Sequence, residues 1–149
     1  MGILRPSDVQ HLTEHFRKNL LGDVTLDFYT QKSLLYIPGR ECPTCRETGQ
    51  ILEEVAGLSE KLHLQMNDFY GDADRAAERG IDRIPAFVLE GASRGKVRYF
   101  GVPAGSEFLA FIEDLVDVSR GETSLRPETR QALGTLTRDV HLQVFVTPT

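Results

Sequence analysis

The sequence predicts an α/β fold, a mixed four-stranded sheet with helices on both faces, and three observations carry that prediction. A β-rich run at Val24–Thr30 leads through a loop into a helical pattern and then into the alternating run Leu62–Met66. Two further short runs, Ala86–Glu90 and Lys96–Phe100, are separated by the turn Gly91–Gly95. A pair of cysteines, Cys42-Pro43-Thr44-Cys45, stands at the first strand-to-helix junction. Strand–helix–strand demands a right-handed parallel crossover, and a closing hairpin adds antiparallel strands to the same sheet.

The elements follow in chain order. Ser7 with Gln10 three residues on has the spacing of a capping box. Val9, Leu12, Phe16 and Leu20 then make one apolar stripe that Gly22 stops. The strand 24–30 comes next, then an irregular stretch, 31–41, whose Leu34-Leu35-Tyr36-Ile37 run is core filler or a flap over the cysteines. In the helix expected over 43–56, Cys45, Thr48, Leu52 and Val55 share a face and Gly57 is the cap. Asp72 opens a short helix that Gly80 ends, and Ser106 caps one whose Phe108, Phe111, Ile112, Leu115 and Val116 face the core.

The cysteines set the chemistry. A Cys-x-x-Cys at a strand-to-helix junction in a βαβ context reads as a dithiol redox site. With Cys42 as N-cap and Pro43 at the first helical position, the Cys42 sulfur faces the unpaired amides of the helix start, which favour thiolate over thiol. Cys45, one turn further in, is shielded yet close enough to attack a mixed disulfide, so Cys42 is the expected nucleophile and Cys45 the resolver. Zinc needs four ligands and there is no second cysteine pair; His11 and His15 have ligand spacing but lie on the polar side of the first helix. Around the pair, Arg40 and Arg46 favour the thiolate and Glu41 opposes it.

Composition narrows the class. The chain has 149 residues, 40% hydrophobic and 26% charged, enough for one compact domain with an appendage. A net charge of −5 gives no reason to expect nucleic acid, and no apolar run could span a bilayer or act as a signal peptide. Only two cysteines, both in one pair, suit a reducing cytoplasm and a catalytic dithiol.

The element order resembles the thioredoxin or glutaredoxin fold, and separated motifs carry the resemblance. Cys42-Pro43-Thr44-Cys45 matches the redox motif, and Ile84-Pro85 resembles the cis-proline that faces it. From Val97-Arg98-Tyr99-Phe100-Gly101-Val102-Pro103-Ala104-Gly105 to Arg120 the chain looks like the thermophile protein disulfide oxidoreductases, glutaredoxin-like proteins built from two thioredoxin-fold units. The resemblance implies a protein disulfide oxidoreductase without cofactor or metal, served by an external dithiol reductase. It implies substrate contacts at Ile84, Pro85, Pro43 and Thr44. It also places Asp27 beneath the cysteines as a buried carboxylate that takes the resolving thiol's proton. The alternatives are a dedicated reductase of a peroxidase-type partner and a redox-idle binding or assembly module.

The chain also repeats itself. Asp23-Val24-Thr25-Leu26 follows the first helix, and Asp139-Val140-His141-Leu142 follows one that begins at Pro127. Residues 1–120 thus read as the redox unit and 121–149 as a linker with the opening helix and strand of an incomplete second unit. A lone apolar strand at 140–146 calls for a partner, so a homodimer through residues 127–146 is expected.

Overall fold

A computed structural model describes residues 2–32 and 38–146. The elements run α1 (Pro6–Asn19), β1 (Val24–Thr30), α2 (Cys45–Ala56), β2 (Leu62–Asp68), α3 (Ala73–Glu78), β3 (Ala86–Glu90), β4 (Val97–Phe100), α4 (Ser106–Arg120) and α5 (Pro127–Gly134). The strands form one sheet in the order β2-β1-β3-β4. β1 pairs with β2 in parallel and with β3 antiparallel, and β3 pairs antiparallel with β4. The mixed four-stranded sheet is thus the one the chain order demanded.

Strand alternation splits the core in two. Val24, Leu26 and Phe28 face α2 and α4, and pack with Ile51, Leu52, Val55, Phe111, Ile112 and Leu115. Tyr29, Ala86 and Val88 face the other way and pack with Ala76 of α3 and Ile81. Phe87 stacks on Tyr99 with ring centroids 4.9 Å apart, and Phe111 meets Phe87 edge-on at 5.3 Å. The Tyr99 hydroxyl donates to Asp114 at 2.6 Å; burial, then this carboxylate, pushes the phenol's pKa up.

Two helix starts differ from expectation. α1 begins at Pro6, not after Ser7, because proline is favoured in the first turn. The Arg5 N–H is held by the Asp8 carboxylate at 3.3 Å. Val9 in the first turn is 37% exposed, whereas Phe16 and Leu20 are buried. The other, α2, begins at Cys45 with Thr44 as N-cap, two residues later than the pattern 43–56 suggested. Cys42–Thr44 close a turn first: the Cys45 N–H donates to the Cys42 carbonyl at 3.3 Å.

Residues 121–146 lie outside this packing. α5 buries no residue, and Val140 to Val146, expected as a strand, have no strand partner among the described residues. A strand exists only as part of a ladder, so the pattern alone does not make one.

The sheet's end remote from the cysteines is closed by the C-terminus of α4. Ser119 accepts the Gly22 N–H at its carbonyl (3.2 Å) and the Leu21 N–H at its hydroxyl (3.3 Å). Arg120 reaches back to the Asn19 carbonyl at 3.0 Å. Gly91 lies under the same joint: a Cβ there would sit 2.9 Å from the Val118 carbonyl and 3.0 Å from that of Asp23. Both contacts are backbone and neither can swing aside. Gly91→Ala should therefore cost about 1–3 kcal/mol of stability, the usual range for overpacking. Thermal unfolding should read this as a Tm loss of roughly 2–10 °C; an unchanged Tm would show that this joint is loose.

Candidate redox site

Cys42 and Cys45 are joined in a disulfide with their Cα atoms 5.4 Å apart. Their environments differ: Cys42 is half-buried, whereas Cys45 is 6% exposed. Pro43 is exposed and Thr44 half-buried, so the turn between the sulfurs faces outward. The Thr44 carbonyl accepts both the Thr48 N–H (3.0 Å) and its hydroxyl (2.9 Å), which fixes the first turn of α2 behind the disulfide.

Gly49 explains where the disulfide sits. A Cβ at Gly49 would lie 3.3 Å from the Phe28 ring, so α2 rides close on β1. Because β1 and β2 are parallel, α2 must run back antiparallel to β1. One turn before Gly49, about 6 Å toward the helix start, is Cys45. That shift equals about two strand residues and brings Cys45 level with Thr30, the last residue of β1. Pro85 stands immediately before Ala86, which pairs with Tyr29. The Ile84–Pro85 bond is cis, and the Pro85 carbonyl accepts the Gly101 N–H at 2.9 Å. Dithiol, Ile84-Pro85 and the Gly101 bend therefore share one end of the sheet.

The rim charges are mixed, as the sequence indicated. Arg40 lies over the Tyr70 ring, 4.8 Å from its centroid, and Arg83 over the Phe100 ring at 4.2 Å. Arg83 also pairs with Asp82 at 2.9 Å, and Glu41 accepts the Gly39 N–H at 3.0 Å. Sequence reasoning missed Tyr70 and Phe100 as rests for these guanidiniums, and no spacing signals them. The expected flap, 33–38, lies outside the described residues except for Pro38.

Asp27 is buried, as expected, and its partners are polar. It is 1% exposed, and strand alternation turns it to the α3 face, away from the face that α2 covers. Asn67 donates to it at 2.7 Å and the Tyr29 hydroxyl at 3.4 Å. Arg75 and Arg79 approach at 3.3 and 3.6 Å, and Arg79 is also paired with Glu90. Burial first, then the Asp27 charge, pushes the Tyr29 phenol up, and Asp27 raises the Arg75 guanidinium. A carboxylate held by two guanidiniums on that face ties α3 to the sheet. The i,i+4 spacing of Arg75 and Arg79 was the legible sign of this network.

Among the described residues no His, Cys, Asp and Glu cluster could hold a metal ion, and no helix is long and apolar enough to cross a membrane.

A family model described as a thioredoxin domain matches residues 35–113, over half of the chain. The chain belongs to the thioredoxin-domain family. The thioredoxin domain resembles a protein disulfide oxidoreductase from Aeropyrum pernix K1 with a TM-score of 0.73 and 24% identity, over 91% of this chain and 57% of that one. It also resembles the alkylhydroperoxide reductase AhpF of Enterococcus faecalis V583, in its C503A mutant, with a TM-score of 0.73 and 21% identity, over 89% and 61%. The NTD_N/C domain of AhpF matches at 0.69 and 20%, over 86% and 58%. At these identities the likeness establishes the fold, and the chain spans about three fifths of each of these structures. No curated protein sequence matches it.

Asp27→Ala tests the structural reading of that residue. It strands Asn67, Tyr29 and two partly exposed arginines, so urea unfolding should show a loss of about 1–3 kcal/mol. The rate at which Cys45 resolves a mixed disulfide at neutral pH should stay as in the parent. A slowed resolution would assign Asp27 the proton-accepting role.

Proposed function

We propose that the protein is a thiol-disulfide oxidoreductase that acts on protein disulfides through Cys42 and Cys45. The observation that carries this is the unequal exposure of the two cysteines, Cys42 half-buried just before α2 and Cys45 buried at its first position. In the reduced protein the Cys42 thiolate attacks one sulfur of a substrate disulfide. A mixed disulfide forms and one substrate thiolate leaves. Cys45, as thiolate, then attacks the Cys42 sulfur and expels the second substrate thiolate. The substrate gains two electrons, the protein is left as the Cys42–Cys45 disulfide, and an external dithiol reductase restores it. No cofactor takes part in this exchange. Pro43, Thr44, Ile84 and Pro85 are the expected substrate contacts, since all four stand at the sheet end that carries the sulfurs.

Two cysteines confined to one reactive pair favour a reducing cytoplasmic setting. Residues 1–120 hold all of this chemistry, and residues 121–149 are an appendage to it. A second reading, reductase of a peroxidase-type partner, is favoured by the likeness to the alkylhydroperoxide reductase AhpF. Comparing insulin reduction with the support of a thiol peroxidase separates the two.

The decisive experiment is a cysteine exchange. Cys42→Ser should abolish dithiothreitol-driven insulin reduction, and Cys45→Ser should accumulate mixed disulfides visible on a non-reducing gel. Alkylation of the reduced protein at neutral pH should label Cys42 first. Preferential labelling of Cys45 would reverse the roles, and full activity of the Cys42→Ser variant would end the proposal.

A further inference from the structure

The sheet end that carries the dithiol is bracketed by two guanidiniums, each laid on an aromatic ring. Tyr70, under Arg40, lies two residues past Asp68, the last residue of β2. β2 is parallel to β1 and finishes where β1 finishes. Phe100, under Arg83, ends β4 and pairs with Ala86, the first residue of β3. Both rings adjoin the same face. Ala86 packs in the cluster beside α3, as does Phe69, the edge-on neighbour of Tyr70 at 5.1 Å.

The strand order β2-β1-β3-β4 sets the two rings at opposite edges. Three strand spacings separate those edges, about 14 Å. Between them stand the end of β1, level with Cys45, and Pro85 at the head of β3.

An arginine stacked on a ring is held in place while the N–H groups along its edge stay available. Arg17, Arg75 and Arg79 direct theirs to carboxylates of this chain. Arg40 makes no ion pair among the described residues. The carboxylates close to it in the fold, Glu41 and Asp68, accept the Gly39 and Tyr70 N–H groups at 3.0 and 3.3 Å. Arg83 pairs with Asp82 at 2.9 Å, but both side chains are largely exposed, and such a pair is weak enough to yield to a second carboxylate.

We propose that Arg40 and Arg83 select the substrate by receiving carboxylates on either side of the disulfide it presents. The preferred class is a protein disulfide whose attacked cysteine is flanked by Asp or Glu. An extended segment rises about 3.3 Å per residue, so the span corresponds to about four residues. Acids two before and two after the cysteine share its side of such a segment and fall opposite the two guanidiniums. Selection of this kind rests on the oxidoreductase reading and adds to it which disulfides are taken.

Three peptides test it: Glu-Ala-Cys-Ala-Glu and its Gln and Lys counterparts, each joined through its cysteine to neutral 2-thiopyridine. The thiolate of reduced Cys42 attacks the peptide sulfur and forms a mixed disulfide. The pyridine thiolate leaves, takes a proton from water and is read by absorbance as thiopyridone. The second-order rate constant for the Glu peptide should exceed that for the Lys peptide by about tenfold at low salt, the effect of two weak ion pairs. The two should converge near about 0.5 M sodium chloride. Arg40→Glu combined with Arg83→Glu should reverse the order, a change that a misfolded protein cannot show. Because the ratio between peptides is read, a general change in Cys42 reactivity does not enter. Equal constants for the Glu and Lys peptides in the parent, or an order that survives charge reversal, would overturn the inference and leave the oxidoreductase reading standing. No release from any peptide, or release as fast from Cys42→Ser as from the parent, would overturn both.

Discussion

Parallel pairing of β1 with β2 is the constraint from which the rest follows. Two parallel neighbours cannot be joined by a hairpin, so the chain must leave the end of β1, cross one face of the sheet and re-enter beside its own start. The crossing element is α2, and its first turn falls at the sheet end that β1 has just left. Cys45 opens that first turn, and Cys42 lies in the turn just before it. β3, entering antiparallel beside β1, begins at the same end, which brings Ile84 and Pro85 to the dithiol's level although they are some forty residues away in sequence. The candidate site is thus assembled by topology before any side chain is considered.

Packing then fixes how tightly that assembly is held. Glycine at position 49 lets α2 approach the Phe28 ring at a distance a side chain would contest. The buried Thr48 reaches back to the Thr44 carbonyl, so the backbone behind the sulfurs is tied on the side away from solvent. The opposite face is organised by charge. Asp27, Asn67, Arg75 and Arg79 join β1, β2 and α3 through one buried carboxylate. The two faces of one strand therefore do different work: Leu26 and Phe28 seat the reactive helix, while Asp27 and Tyr29 anchor the helix behind it.

The legible parts were those set by local pattern. Val24–Thr30 and Ala86–Glu90 were readable to the residue because β-rich runs bounded by turn residues leave little freedom. Cys-x-x-Cys at a strand-to-helix junction was enough to mark the candidate site. Less legible were helix starts, where a proline or a turn shifts the first hydrogen bond by a residue or two; α2 opening at Cys45 instead of Pro43 is such a case. The sequence also could not say on which face Asp27 falls relative to α2, since that depends on which side of the sheet the crossover takes. Nor could it show that Tyr70 and Phe100 come to lie under Arg40 and Arg83, because those contacts join segments well apart in sequence.

The α4 joint has a mechanical consequence. Anything that grips residues 122–146 pulls on the chain at Gly121, and that tension enters the folded unit where Ser119 and Arg120 are bonded to the α1–β1 connection. This joint is at the start of β1, a full strand length from the disulfide at its finish. Load would meet this clasp of backbone and guanidinium bonds first, at the sheet end opposite the bend that carries the sulfurs.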